Sequence, residues 1–357
     1  VTAGILTFAS ATQVMVIKLS QNEPSALSHD HTVSPYPYHF TSIPLLSDML
    51  KLAISAFLLF RETPEQRKMT KDWWSMRLYI IPAVCYFLHN NLLFMVLADV
   101  SPWTYMILAN LKIATTAVMF RTLLGRKLTK LQWQALGLLV FGTLISQIDD
   151  CSRHGILAIS YRTLAKGLLL GFFSAMAGTY TEMFLRANDD SLYWQNCQMY
   201  GFGMLCNCVN VLVLGYMGGS GEFPLLPQVL TRGFNTYAWL AVLVLAIAGM
   251  LVAWIMKYTK TIVKVYSNIM GMLVAMVASH VILGMKISLP TLLGYATVCT
   301  GSALYYLGVK ELMGAEKAAE LLGAHESPGS APSHTRASTH PSLVEVEVSR
   351  FQSDKGT

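Results

Sequence analysis

Six ionisable residues stand where an ionisable residue is expensive. Asp48, Lys51, Lys112, Glu182, Lys264 and His280 each fall inside a long apolar run. A charge deep in hydrocarbon costs about 2.5–3.5 kcal/mol on insertion scales, so each needs a partner or a task. Asp48 and Lys51 are three residues apart on one helix face and can neutralise each other, which suits a structural or gating role. Glu182 has Arg186 four residues on and can pair with it near a helix end. His280 reads as a hydrogen-bonded packing histidine. Lys112 and Lys264 are different. Neither has an acid three or four residues away, and Lys264 has Lys260 there instead. Facing one midplane cavity, the two would attract an anion of about two charges, such as a phosphate or diphosphate. The competing reading is that each lysine snorkels to the interface and only anchors its helix.

Aromatic and amide groups recur near these lysines at helical spacing. Tyr86 and Asn90 are four apart, as are Asn196 and Tyr200. Tyr105 lies two turns before Lys112, Tyr180 two residues before Glu182, and Ser267 three after Lys264. Tyrosine supplies a stacking surface and asparagine a hydrogen-bonding edge, which a nucleobase and a sugar ring require. A single tyrosine is also common at membrane interfaces, so the pairs carry the signal and no member does alone.

The elements that must position these groups are membrane helices. Of 357 residues, 54% are hydrophobic and 13% charged, against about 25% charged in soluble domains. That excludes a nucleic-acid module, a largely disordered chain and an ordinary cytosolic enzyme. Apolar runs near 1–18, 42–60, 78–98, 102–121, 131–148, 164–186, 196–217, 237–257, 263–284 and 289–308 predict an all-α polytopic fold of about ten transmembrane helices. Arg61, Arg67, Lys68, Lys71 and Arg77, then Arg121, Arg126, Lys127 and Lys130, then Lys257 and Lys260 fill loops of one parity. The positive-inside rule turns those loops, and with an even span count both termini, to the cytoplasm. It also accounts for the net charge of +6 without an acidic partner. The first run begins at Val1 with no basic segment before it, which reads as a trimmed first span and not a signal peptide.

A duplication organises the spans. Leu124-Gly125-Arg126-Lys127-Leu128-Thr129 precedes the fifth span and Leu283-Gly284-Met285-Lys286-Ile287-Ser288 the tenth; at the same shift Gly142-Thr143 falls on Gly301-Ser302. The prediction is two inverted five-helix repeats, about 1–148 and 164–308, inside a transporter domain spanning 1–308. The competing reading is chance similarity among apolar helices. The Ser/Pro/His/Gly-rich stretch 309–357 is expected to be a disordered cytoplasmic tail. The loop 20–40 holds three histidines, but His29 and His31 flank Asp30 without a further ligand cluster, so no metal or cofactor is expected. The six cysteines form no disulfide framework. The acidic pairs Asp149–Asp150 and Asp189–Asp190 are expected as solvated turns, and no HExxH or GxSxG motif points to an enzyme.

At these residues the chain resembles the nucleotide-sugar transporters of the CMP-sialic acid/UDP-galactose/UDP-N-acetylglucosamine branch, within the drug/metabolite transporter superfamily. It is most similar to plant and algal members labelled CMP-sialic acid transporter-like. The stretches are YFLHNNLLF (86–94), TYMILANLKIATTAVMFRTLLGRKLTKLQW (104–133), AGTYTEMFLR (177–186), YWQNCQMYGFG (193–203) and MKYTKTIVKVYS (256–267). The resemblance implies antiport across the Golgi membrane: a cytosolic nucleotide sugar enters and a lumenal nucleoside monophosphate leaves. It implies nucleotide contacts at Tyr86, Asn90, Tyr105, Lys112, Asn196, Tyr200 and Lys264. Tyr180 and Ser267 join the candidate binding set by position, with Asp48, Lys51 and Glu182 as gating or structural groups. The family pattern MKYxDNIxK is broken here by Lys260 and Thr261, which bears on the substrate more than on the class. Base and sugar, Golgi or endoplasmic reticulum, and monomer or homodimer stay open. The expected surroundings are lipid, with no nucleic acid. Rival readings are an exporter of another phosphorylated or small organic metabolite, a membrane-embedded transferase, and a scaffold without transport.

Overall fold

The computed structural model describes residues 2–21, 35–65, 67–109, 114, 115, 118, 129–146, 161–217, 223, 225–258, 261–284 and 287–305, with side chains for all of these but 2–7, 74, 103, 186, 187 and 261–269. Among them every regular element is a helix. In chain order these are α1 (Thr2–Leu19), α2 (Ser42–Arg61), α3 (Trp73–Arg77), α4 (Ile80–Asp99), α5 (Pro102–Ala109), α6 (Lys130–Ile145), α7 (Tyr161–Ala187), α8 (Leu192–Met217), α9 (Pro227–Leu230), α10 (Thr236–Tyr258), α11 (Thr261–Leu283) and α12 (289–305). Of the expected span 102–121, α5 and residues 114, 115 and 118 are described as helix. The tail 309–357 lies outside the described residues.

Five stretches are long and apolar enough to cross a membrane: Ser42–Arg61, Ser75–Asp99, Tyr161–Leu185, Leu192–Met217 and Thr236–Tyr258. The described apolar parts of α1 and α11, Phe8–Leu19 and Met270–Leu283, are shorter. The chain is therefore a multi-pass membrane protein. Its outward faces agree: Phe60 on α2 and Val281 on α11 are 75% and 74% exposed, at no cost in lipid. α2 packs against α8, α4 against α7, and α1 against α10 and α11. His280 departs from expectation. It sits on an exposed face of α11, because the inward position is taken by its neighbour Ser279, fully buried and donating to the Ala275 carbonyl at 2.7 Å.

The duplicated segments begin two helices in the same way. Thr129 caps α6: its hydroxyl accepts from the Gln132 amide (3.1 Å) while the Gln132 side chain accepts from the Thr129 amide (2.9 Å). The matching Ser288 caps α12, accepting from the Thr291 amide at 3.4 Å. Gly284, at the end of α11, has φ 62°, a conformation that glycine adopts without steric cost.

α6 and α12 then meet backbone to backbone. A Cβ on Gly142 would lie 2.9 Å from Thr297 Cβ, 2.9 Å from the Val298 nitrogen and 3.0 Å from the Gly294 oxygen. A Cβ on Gly301 would lie 3.2 Å from Leu138 Cβ, 3.1 Å from the Leu139 nitrogen and 3.1 Å from the Ala135 oxygen. The shift from Gly142 to Gly301 is 159 residues, and the same shift carries Ala135, Leu138 and Leu139 onto Gly294, Thr297 and Val298. All three contacts of one glycine are thus repeated at the other with the helices exchanged. As residue numbers rise along α6, their partners fall along α12, so the pair is antiparallel. A self-complementary antiparallel contact has a local twofold axis across the helices.

Candidate functional site

A cleft of about 790 Å³, open space at its mouth included, lies between α1, α2, α4, α7, α8 and α10. Three residues of the two spaced pairs face it together: Tyr86 and Asn90 from α4, and Tyr200 from α8. The register explains this, since both pairs recur at one helical turn and α4 packs directly on α8. The α10 wall, with Leu245, Ala248, Gly249, Val252 and Ala253, is apolar.

An aromatic cluster adjoins the cleft. Tyr79 packs on Phe184 and Tyr180 on Phe184, each with centroids 5.9 Å apart, and Tyr86 and Tyr200 pack in the same cluster. Asn196, one turn before Tyr200, is buried, and its Oδ1 has no hydrogen-bond partner; the Tyr200 hydroxyl is buried and unpartnered as well. Buried polar atoms are ordinarily satisfied, so these two are exceptions; Tyr200 lines the cleft, whereas Asn196 lies one turn away and does not.

Asp48 and Lys51 face the same space. Their charged atoms are 2.7 Å apart, and both residues are buried. The other Asp48 oxygen accepts from Asn207 Nδ2 at 2.9 Å, and Asn207 Oδ1 accepts from Asn91 Nδ2 at 3.3 Å. One carboxylate thus links α2 to α8 and, through Asn207, to α4. Lys51 Nζ also sits 5.1 Å from the Tyr200 ring centroid, within cation–π range. Two glycines admit the pair. A Cβ on Gly203 would stand 3.0 Å from Asp48 Oδ2, and one on Gly249 would stand 3.2 Å from Lys51 Cδ.

The other candidates are placed apart. Tyr105, on α5, is buried in the main apolar core with Leu108 and Leu170 and is not on the cavity wall. Glu182 is half-buried on α7, next to the cavity-lining Thr181, while the Arg186 side chain lies outside the described residues. Lys112 lies outside the described residues altogether, and the side chains of Lys264 and Ser267, on α11, do as well.

Polar ties close the bundle on either side of this space. At the Lys/Arg-rich end, Asp190 Oδ1 accepts from the Thr70 amide (3.2 Å) and hydroxyl (2.8 Å), Oδ2 accepts from Asn188 Nδ2 (2.8 Å), and its carbonyl accepts from Lys257 Nζ (2.6 Å). The α2–α3 connection, the α7–α8 turn and the end of α10 are tied at one residue. Asp190 was expected in a solvated turn and is instead 5% exposed. The readable signal was its place just before Ser191, whose hydroxyl accepts from the Tyr193 amide at 3.2 Å as α8 begins.

At the opposite end the donors bond to backbone carbonyls of α4 and the residue after it. Lys18 Nζ donates to Leu97 (3.1 Å) and Val100 (3.3 Å), Gln21 to Leu97 (3.0 Å), and the Tyr36 hydroxyl to Phe94 (2.8 Å). Tyr38 shares a short hydrogen bond with Ser20. Burial pushes its hydroxyl pKa up to about 12, so it keeps its proton.

Comparison with known proteins shows the family. A family model described as nucleotide-sugar transporter matches residues 3–306. CMP-sialic acid transporter 1 of Oryza sativa subsp. indica is 37% identical over 316 residues, covering 87% of this chain and 95% of that protein. CMP-sialic acid transporter 1 of Arabidopsis thaliana is 38% identical over 312 residues, covering 85% and 88%. A probable UDP-sugar transporter protein of Danio rerio is 29% identical over 280 residues, covering 77% and 86%. One crystal structure shares the fold at a TM-score of 0.53 and 15% identity, covering 87% of this chain and 98% of its own.

Proposed function

Because the chain belongs to the nucleotide-sugar transporter family, whose members are carriers and not enzymes, we propose that it exchanges a cytosolic nucleotide sugar for a lumenal nucleoside monophosphate by alternating access. The observation that carries the reading is the convergence of Tyr86, Asn90 and Tyr200 on one cleft. Tyrosine rings stack the base, amides read its edge, and Lys112 and Lys264 neutralise the phosphate. The names of the relatives favour a CMP- or UDP-sugar.

Ten spans in two inverted repeats complete the proposal. Its support is the shared capping and the exchanged glycine contacts of α6 and α12. An antiparallel pair with a twofold axis across it is what inverted topology requires. Alternation then means that the Asp190 tie and the Lys18–Tyr36 tie open in turn. A loaded carrier turns faster than an empty one, since the anion cancels repulsion between the two lysines. The charge of the loops supports cytoplasmic termini, and the resemblance supports the Golgi membrane as the carrier's location.

The test is reconstitution. Liposomes preloaded with CMP or UMP should take up the matching labelled nucleotide sugar, and free monophosphate should compete. Lys112→Ala should lower that exchange roughly tenfold to a hundredfold, the worth of one charge-assisted bond. Unchanged uptake would remove the phosphate role. Uptake that no nucleotide drives or inhibits would point to another metabolite.

A further inference from the structure

The cleft has a second polar wall that none of the assignments above uses. Ser10 and Gln13, three residues apart and so on one face of α1, both line it. Neither side chain makes a hydrogen bond among the described residues, and neither is buried in packing, both being half-exposed to the cleft. On their own helix Ala11, Val14 and Ile17 belong to the core, and the α10 wall offers only aliphatic groups and Gly249; the other polar groups of the cleft come from α2, α4, α7 and α8. A glutamine on a cleft wall with no protein partner among the described residues has its donor and its acceptor free for whatever enters the cleft.

We infer that Ser10 and Gln13 form the edge that reads the sugar of the transported nucleotide sugar. This rests on the proposed function and deepens it. With the nucleotide engaged by Tyr86, Asn90 and Tyr200, the ligand portion left to meet α1 is the sugar, an uncharged ring of hydroxyls apart from any acidic substituent. A carboxamide offers a donor and an acceptor side by side, which matches neighbouring hydroxyls or an acylamino group, and a serine hydroxyl one turn away extends the row. The edge is neutral, so it selects by hydrogen-bond pattern and leaves charge recognition to the lysines. Rejection of a sugar lacking the matching groups follows from leaving Gln13 unpaired.

The experiment measures binding of CMP and CMP-sialic acid, and of UMP and UDP-galactose, to purified full-length protein carrying Gln13→Leu, Gln13→Ala or Ser10→Ala. For the pair that the wild type binds, Gln13→Leu should weaken the nucleotide sugar roughly tenfold, Ser10→Ala should weaken it a few-fold, and the monophosphate should hold within about twofold. The constant monophosphate affinity also reports an intact fold. Equal loss for both ligands, or no loss for the nucleotide sugar, overturns the assignment. A wild type that binds none of the four sinks the nucleotide reading itself, and the sugar edge with it.

Discussion

Replacing Asp48 with alanine should lower stability by about 3–5 kcal/mol, while replacing Asp48 and Lys51 together should recover most of that loss. The carboxylate is buried, holds Lys51 at 2.7 Å and takes a second bond from Asn207 at 2.9 Å. Removing it alone strands a buried ammonium group packed against Gly249 and the Tyr200 ring. A buried ion with no partner costs far more than a pair that was never there, which is why Asp48→Asn/Lys51→Met is the informative companion. The measurement is the temperature at which purified protein loses its monodisperse peak, taken for both singles and the double. If Asp48→Ala melts with the wild type, or the double melts as low as the single, the pair does not hold the bundle. Transport provides a second readout, because the same two side chains face the cleft.

The second large effect belongs to the seam of α6 and α12. Gly142→Leu and Gly301→Leu should each destabilise by about 3 kcal/mol or more, the upper end of overpacking costs, because the obstructing atoms are main chain and cannot turn away. A Cβ alone would come within 2.9 Å of the Val298 nitrogen at one site and 3.1 Å of the Leu139 nitrogen at the other. Since the two environments are the same contact with the helices exchanged, the two variants should melt within a degree or two of each other. The matching pair of alanine variants should show a smaller and again equal loss. Unequal losses would mean that the local twofold does not extend to energetics.

Much of this could be read before any coordinates. Long apolar runs locate the helices because an unpaired backbone in lipid leaves few alternatives. The three-residue spacing of Asp48 and Lys51 brings their charges together because i and i+3 share a face. The four-residue spacing placed Tyr86 with Asn90 on one wall. What resisted reading is which face turns inward. Tyr105 shares a helical face with Lys112 by count, and it is buried in the main apolar core, where α5 packs against α7 and α11. Asp190 is misplaced for the same reason, as its surroundings come from distant segments. Gly203 and Gly249 gave no signal at all, since their task is to leave room for side chains on a third helix.

Among the described residues, no side chain of α6 or α12 lines the cleft. Their seam also has main-chain atoms at its closest points, so it has little slack to deform. A joint of that kind behaves as an axle: the parts around it can swing while the joint itself keeps its shape. Substitutions there should destabilise the bundle without altering the cleft wall, whereas Ser10 and Gln13 of α1 are part of that wall.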